Sequence, residues 1–129
     1  MILGIGLDVV ELARMDKILS GPGSRKFAER VLTARESEEW ASLQPRRALE
    51  FISGRFAAKE AVVKAIGCGI GATVGFKDIE VLPDEWGKPV CSLSHASVGR
   101  LGWTEEAYRI HIAITHERSI AAATALIEK

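Results

Sequence analysis

One segment of the sequence places a carboxylate, an ammonium group and an aromatic ring on the same side of a helix. Residues 48 to 66 show the i, i+3, i+4, i+7 spacing of a buried apolar stripe, formed by Ala58, Ala61, Val62, Ala65 and Ile66. With about 100° between successive residues, Phe56, Glu60 and Lys64 fall on the opposite face. Glu60 and Lys64 are spaced as an i,i+4 surface ion pair, and the same two groups are able to hold and move protons at a reacting centre.

Basic side chains gather around the same helix and its entrance. Arg46 and Arg47 come first, and Arg55, Lys59 and Lys64 follow along the helix. Guanidinium and ammonium groups bind phosphates through charge-assisted hydrogen bonds, so this basic group predicts a site for a phosphate-rich ligand. The alternative is ordinary solvated surface charge, and Lys59 fits a solvated flank of the helix equally well.

Asp8 also has two interpretations. It follows the apolar run Met1 to Leu7, which predicts a buried strand whose two glycines allow close approach by another backbone or a ligand. With Glu11 three residues on, Asp8 has the Asp-x-x-Glu form of a helix capping box, so it is either a cap or a ligand. His95 and His116 occur in similar Ser-His and Thr-His settings, and the sequence does not choose between them.

The composition narrows the class of protein. A chain of 129 residues predicts a single domain, spanning 1–129, with one core. Seventeen Lys and Arg balance seventeen Asp and Glu, which argues against nucleic-acid or membrane partners recognised by net charge. The two cysteines, Cys68 and Cys91, lack metal-ligand spacing, and no apolar run reaches the length of a membrane span. We therefore expect a cytoplasmic protein with reduced thiols.

Four helices are predicted from apolar periodicity and end signals. The first spans Glu11–Leu19 and stops at Gly21-Pro22-Gly23, and Ser24 is expected to cap the second. Thr33-Ala-Arg-Glu36 has the capping-box form for a third helix that runs to Leu43 and ends at Pro45. The fourth is the 48–66 helix, terminated by Gly67.

The strand signals lie mainly in the second half. Ile79–Leu82 and Val90–Leu93 flank a turn-rich loop and predict a hairpin, and Tyr108–Thr115 alternates with Ile side chains on one face. Ser119–Ile127 is ambiguous between helix and strand, and the short turn before it favours a returning strand. Together these elements predict an α+β domain with helices packed on one small, mostly antiparallel sheet.

The joint order of two motifs is more specific than either alone. Gly4-Ile-Gly-Leu-Asp8-Val-Val-Glu-Leu-Ala-Arg14 and Gly54-Arg-Phe-Ala-Ala-Lys-Glu60-Ala-Val-Val-Lys64-Ala-Ile-Gly67 both resemble the holo-acyl carrier protein synthase family. The resemblance continues through Gly87-Lys-Pro to Ile114-Thr-His-Glu and covers nearly the whole chain. It implies a 4′-phosphopantetheinyl transferase, which moves the phosphopantetheine arm of coenzyme A to a serine of apo acyl carrier protein.

The resemblance also implies an assembly and a set of site residues. Family members form homotrimers with sites between subunits, which would account for apolar Phe56 and Val63 away from the core stripe. Asp8 and Glu60 match carboxylates that bind Mg²⁺, a cation that takes few protein ligands. Residues matching those that contact or border the coenzyme A phosphates are Arg46, Arg47, Arg55, Lys64 and His116. Arg14 matches a basic residue that meets the acidic recognition helix of the carrier protein.

The mechanism that follows is a phosphoryl-type transfer assisted by charge neutralisation. Mg²⁺ and Lys64 would offset the diphosphate charge, and Glu60, directly or through a bound water, would take the proton of the attacking serine. Two alternatives stay open. One is another magnesium-dependent reaction on a nucleotide or phosphodiester with the same carboxylates, and the other is a non-catalytic trimeric module that binds coenzyme A or an acidic partner.

Overall fold

The fold joins five strands and five helices in one α+β unit. The computed structural model describes residues 1–129. The elements are β1 (Ile2–Glu11), α1 (Leu12–Leu19), α2 (Ser24–Val31), α3 (Ala34–Ala41), α4 (Pro45–Ile66), a 3₁₀ turn (Phe76–Asp78), β2 (Ile79–Pro83), β3 (Pro89–Leu93), α5 (His95–Arg100), β4 (Arg109–His116) and β5 (Ile120–Glu128). The predicted α+β class is confirmed.

The strands form two antiparallel sheets instead of the single sheet that was expected. One contains three strands in the order β1-β5-β4, and the β2–β3 hairpin makes the other. The predicted hairpin, strand β4 and returning strand β5 are confirmed. Strand β5 pairs with both β1 and β4 over nearly its whole length. Helix α5 was not predicted, because its six residues are too short to show a helical period.

Helix α4 crosses the three-stranded sheet at very close range. Ala58, Ala61, Val62 and Ala65 are buried, as the predicted stripe requires. A Cβ atom added at Gly6 would overlap the carbonyl oxygen of Ala61, and one at Gly4 would overlap that of Ala65. The two glycines therefore allow β1 to lie directly on the helix backbone, which confirms their predicted role.

The helix ends correct three details of the sequence interpretation. Asp8 lies inside β1, three residues before the strand ends, and Glu11 is the N-cap of α1 without a side-chain cap bond. The Asp-x-x-Glu capping box is therefore not formed. Ser24 is the first residue of α2, not its cap, and α4 begins at Pro45, earlier than expected.

Other end signals agree with the structure. The capping box at Thr33 and Glu36 forms at the start of α3, although that helix ends at Ala41 and does not reach Leu43. Gly67 ends α4 with φ of 93°, the left-handed conformation that glycine adopts without strain.

Two faces of the fold differ in how well the chain covers them. Phe56 packs against Phe27 and Phe76, and Val63 is fully buried. Val63 therefore needs no trimer to account for it, whereas Phe56 remains half-buried in the single chain. The outer face of β1 is different, because Leu3, Ile5, Leu7 and Val9 are 47–67% exposed there. No helix of the chain has both the length and the hydropathy needed to cross a bilayer.

Candidate active site

Asp8 and Lys64 meet where β1 crosses α4. The Lys64 ammonium group donates to Asp8 Oδ1 at 3.1 Å and to the Leu7 carbonyl at 3.0 Å. Lys64 therefore pairs with Asp8 and not with Glu60, and the alternative of an i,i+4 ion pair within the helix is wrong. The side chain of Asp8 is 17% exposed and that of Lys64 is 52% exposed, so the pair lies at the edge of open space.

Glu60 lies one helical turn before Lys64, and the charge of Asp8 affects its pKa. Burial raises the pKa of Glu60, the Asp8 charge raises it further, and Lys64 opposes the shift. Two carboxylates thus lie near a single ammonium group whose only side-chain partner is Asp8, which leaves negative charge for a cation to neutralise. Two hard oxygen donors fit the few protein ligands that Mg²⁺ takes, with water and phosphate oxygens as its other ligands. No group of three or more His, Cys, Asp or Glu side chains converges anywhere in the chain.

Apolar cavities flank these carboxylates. One, of about 320 Å³, is lined by Glu60 together with Phe27, Val31, Phe56 and Phe76. The Phe56 ring contacts its neighbours at centroid distances of 5.9 Å to Phe27 and 5.4 Å to Phe76. The aromatic residues therefore form a firm apolar wall beside the Glu60 carboxylate.

Arg14 lies at a second cavity on the Asp8 side. That cavity, of about 260 Å³, is lined by Asp8 and Arg14 with the apolar residues Met15, Ile18 and Phe27 among others. Its lining combines charged side chains, Glu11 among them, with apolar ones. Such a surface fits a partner that presents both an acidic group and an apolar side chain.

A basic cavity of about 400 Å³ lies between the first half of α4 and the β2–β3 hairpin. Arg47, Arg55 and His116 line it together with Phe51. The Arg55 guanidinium lies 3.9 Å from the centre of the Phe51 ring and donates to the Val81 carbonyl at 3.3 Å. Three cationic or protonatable side chains on one concave surface are suited to phosphate groups.

Glu50 organises this cavity, and the sequence interpretation missed it. Its Oε2 atom lies 3.2 Å from Arg46 Nε and 3.4 Å from His116 Nδ1. Arg46 also donates to the Arg118 carbonyl at 3.1 Å, so it holds the turn after β4 and does not itself line the cavity. The i,i+4 spacing of Arg46 and Glu50 was a usable signal, but the contact with His116 depends on long-range topology.

The other two candidate groups lie elsewhere. His95 is 95% exposed and pairs with Glu105 at 3.1 Å, so of the two histidines only His116 joins the basic cavity. Lys59 is fully buried and donates to Glu36 Oε1 at 2.6 Å. Its assignment to the basic surface, whether as a phosphate ligand or as a solvated flank, is wrong.

Comparison with known proteins decides the family. A family model described as the 4′-phosphopantetheinyl transferase superfamily matches residues 4–125. The chain belongs to this superfamily. The holo-[acyl-carrier-protein] synthase of Geobacillus kaustophilus is 46% identical over 129 residues, which cover 100% of this chain and 91% of that protein.

Two crystal structures of holo-acyl-carrier-protein synthases share the fold of this phosphopantetheinyl transferase. That of Bacillus anthracis, in complex with CoA (3′,5′-ADP), is 41% identical with a TM-score of 0.83, covering 98% of this chain and 96% of that one. That of Neisseria meningitidis is 32% identical with a TM-score of 0.86, and the match covers 100% of both chains.

Within one chain of this transferase, the charged residues form two separate groups. The basic cavity of Arg47, Arg55 and His116 has no lining residue in common with the two cavities beside Asp8 and Glu60. Asp8, Glu60 and Lys64 thus meet at one end of α4, and the arginines gather nearer its start. A ligand that uses both groups needs a second copy of the chain or must span between the two regions.

Proposed function

We propose that this protein transfers the 4′-phosphopantetheine group of coenzyme A to a serine of apo acyl carrier protein and releases adenosine 3′,5′-bisphosphate. The observation that carries the proposal is the contact of Asp8 with Lys64 at 3.1 Å beside Glu60, within a chain that matches the transferase superfamily. The coenzyme A complex of the Bacillus anthracis synthase supports the choice of donor. The two free cysteines fit a reducing cytoplasm, where we expect the protein to act.

The basic cavity is the proposed binding site for the adenosine bisphosphate part of the donor. Arg47, Arg55 and His116 supply donors for its phosphate oxygens, and guanidinium groups suit this role because their planar donors pair with two oxygens at once. Glu50, which also lines the cavity, holds Arg46 and His116 in place. Lys64, at the other group, contacts the diphosphate.

Helices α1 and α2 carry the proposed docking surface for the carrier protein. Arg14 lines the cavity beside Asp8, and further exposed cations on these helices are Lys17, Arg25, Lys26 and Arg30. An amphipathic acidic helix would place an apolar side chain in the cavity and carboxylates on the cations. The docked serine would then lie next to the carboxylates.

The chemical step is a displacement at the β-phosphoryl group. The serine Oγ attacks this phosphorus, the bond to the bridging oxygen breaks, and adenosine 3′,5′-bisphosphate leaves with that oxygen. Glu60, directly or through a bound water, takes the serine proton. Mg²⁺, when bound by Asp8 and Glu60, supplies charge neutralisation on the diphosphate. Lys64 adds a fixed positive charge that limits repulsion between the diphosphate and the nucleophile.

A homotrimer would combine the two separate groups into complete sites. The outer face of β1 exposes Leu3, Ile5, Leu7 and Val9 in a row, an apolar strip on an edge strand that a second copy would cover. In the proposed trimer, the basic cavity of one chain faces the carboxylates of the next. One coenzyme A molecule then contacts both.

Intact-mass spectrometry tests the proposed reaction. The protein is incubated with coenzyme A, Mg²⁺ and apo carrier protein, and the carrier is expected to gain the mass of one phosphopantetheine. A carrier with its serine replaced by alanine is the control and should gain nothing. Cleavage of coenzyme A without any carrier would favour a hydrolase, and coenzyme A binding without any product would favour a non-catalytic module.

A further inference from the structure

Lys59 and Glu36 form an ion pair in the interior of the protein. Both side chains are 0% exposed, and the Lys59 nitrogen lies 2.6 Å from Glu36 Oε1. The same nitrogen donates to the carbonyl oxygens of Val31 at 2.6 Å and Phe76 at 3.0 Å. All three ammonium hydrogens thus have acceptors, and each acceptor belongs to a different segment of the chain.

Glu36 extends this network to β2 and to the start of its own helix. Its Oε2 accepts the Val81 N–H of β2 at 2.7 Å, and its Oε1 accepts the Thr33 N–H at the start of α3 at 2.8 Å. A buried ion pair contributes little stability compared with apolar residues of the same size. What the pair supplies is fixed geometry, because its directional hydrogen bonds hold several segments in place as apolar contacts would not.

The segments tied by Lys59 are the walls of the cavity that contains Glu60. Val31 and Phe76 line that cavity, and both are held to α4 through their main-chain carbonyls by this one ammonium group. Because Lys59 is anchored inward by three bonds, it acts together with the buried stripe to fix the rotation of α4 about its axis. Glu60 follows about 100° further round the helix, so its direction into the cavity depends on the same anchor.

We propose that Lys59 is a positioning residue for phosphopantetheine transfer. It sets the direction of the Glu60 carboxylate and the distance between the Val31 and Phe76 walls, and so places the proton acceptor against the docked serine. Lys59 itself touches no substrate, since it is fully buried. The inference rests on the proposed transferase function.

The test separates positioning from stability with a pair of variants. Lys59→Met leaves the Glu36 carboxylate buried without a counterion and is expected to lower both the melting temperature and the transfer rate. Adding Glu36→Gln removes that stranded charge and keeps an acceptor for the Val81 N–H, so most of the melting temperature should recover, although the Val31 and Phe76 carbonyls still lack their donor. The value of kcat should not recover and should stay about a hundredfold below wild type, the loss typical of a catalytic group displaced by about 1 Å.

Binding of adenosine 3′,5′-bisphosphate tests whether the basic cavity stays intact in the variants. The affinity for this ligand should stay within about twofold of wild type in the double variant, because neither Lys59 nor Glu36 lines the basic cavity and Glu36→Gln keeps an acceptor for the N–H of Val81, the residue that holds Arg55 through its carbonyl. Lys77→Met, an exposed lysine next to Phe76, is the matched control and should leave kcat unchanged. If kcat in the double variant recovers together with the melting temperature, Lys59 is only structural and the inference is overturned.

A third variant does not depend on the folding of the Lys59 substitutions. Glu36→Gln alone keeps both carbonyl bonds of Lys59 but leaves its buried charge without a counterion, so the melting temperature should fall while kcat stays within about threefold of wild type. A folded Glu36→Gln protein with a hundredfold lower kcat would contradict the inference, because the carbonyl bonds would then not be sufficient. Absence of transfer by the wild-type protein would instead refute the proposed function.

Discussion

The close crossing of β1 over α4 makes Gly6→Ala a sensitive test of how the site is built. The added Cβ would overlap the Ala61 carbonyl oxygen and would also lie 2.8 Å from the Ala61 carbonyl carbon. Ordinary van der Waals contact begins near 3.4 Å, so the strand must move by at least about 0.6 Å, the difference between these distances. All the atoms that it meets belong to the helix backbone and cannot rotate away.

The expected effects are on stability and on turnover together. Overpacking of this kind costs about 1–3 kcal/mol, and the backbone contacts favour the upper part of that range. Asp8 is two residues along the same strand and on the same face, so it moves away from Lys64, now 3.1 Å distant. Because a misplacement of about 1 Å can cost about a hundredfold in rate, turnover should fall by about one to two orders of magnitude.

Thermal denaturation and the carrier mass-shift assay measure these effects. Gly99→Ala is the matched control, because no atom lies within 4 Å of its added Cβ and the residue is helical. That variant should be as stable as wild type or slightly more stable. A Gly6→Ala protein with wild-type melting temperature and turnover would refute the claim that helix-strand contact positions Asp8.

Three further substitutions test other parts of the proposal. Arg14→Glu should raise the KM for apo carrier protein about tenfold, by replacing attraction with repulsion at the proposed docking surface, while the affinity for adenosine 3′,5′-bisphosphate stays constant; an unchanged KM would contradict the docking surface. Ile5→Glu should convert a trimer to single chains in light scattering without loss of secondary structure, because this side chain is 67% exposed in one chain; a variant that stays trimeric would exclude this strip as the interface. Glu60→Gln should abolish transfer yet raise the melting temperature at pH 7 in metal-free buffer. Because the pKa of Glu60 is raised in the folded state, that state loses stability as the pH rises through this pKa, and the amide of the variant has no charge to bury. A melting temperature below that of wild type would show that the predicted direction is wrong.

Local sequence patterns predicted most helices and strands because the signals for these elements come from residues that are close together in sequence. The 48–66 stripe, the Thr33 capping box and the Gly67 stop all depend on residues within a few positions of one another. The alternation in Tyr108–Thr115 likewise reports a single sheet face. The structure confirms these predicted elements, and their boundaries differ from the predicted ones by a few residues.

Long-range pairing overrode the local signal at Asp8. The Asp-x-x-Glu pattern predicts a helix start, but β1 continues to Glu11 because its last residues pair with β5, with Glu11 opposite Ile120. Nothing within ten residues of Asp8 indicates that a partner strand more than a hundred positions later extends this one. The same extension brings Asp8 onto the face that meets Lys64.

Lys59 shows a similar limit for the site. Its position beside Glu60 in a basic segment predicts a solvent-exposed side chain. In the structure its hydrogen-bond acceptors come from Val31, Glu36 and Phe76, which are distant in sequence. A buried lysine needs several precisely placed acceptors, and their convergence is a property of the folded chain. The grouping of Arg47, Arg55 and His116 also required topology, because a strand near the C-terminus supplies the histidine.

The central claim is that Asp8 and Glu60 together hold a divalent cation against the donor diphosphate. Electron paramagnetic resonance of Mn²⁺, titrated into the protein with coenzyme A present, measures this binding directly. We expect one bound Mn²⁺ per chain in the wild type and at least tenfold weaker binding in both Asp8→Asn and Glu60→Gln. Undiminished Mn²⁺ binding by both variants, or full transfer activity in excess chelator, would contradict the account.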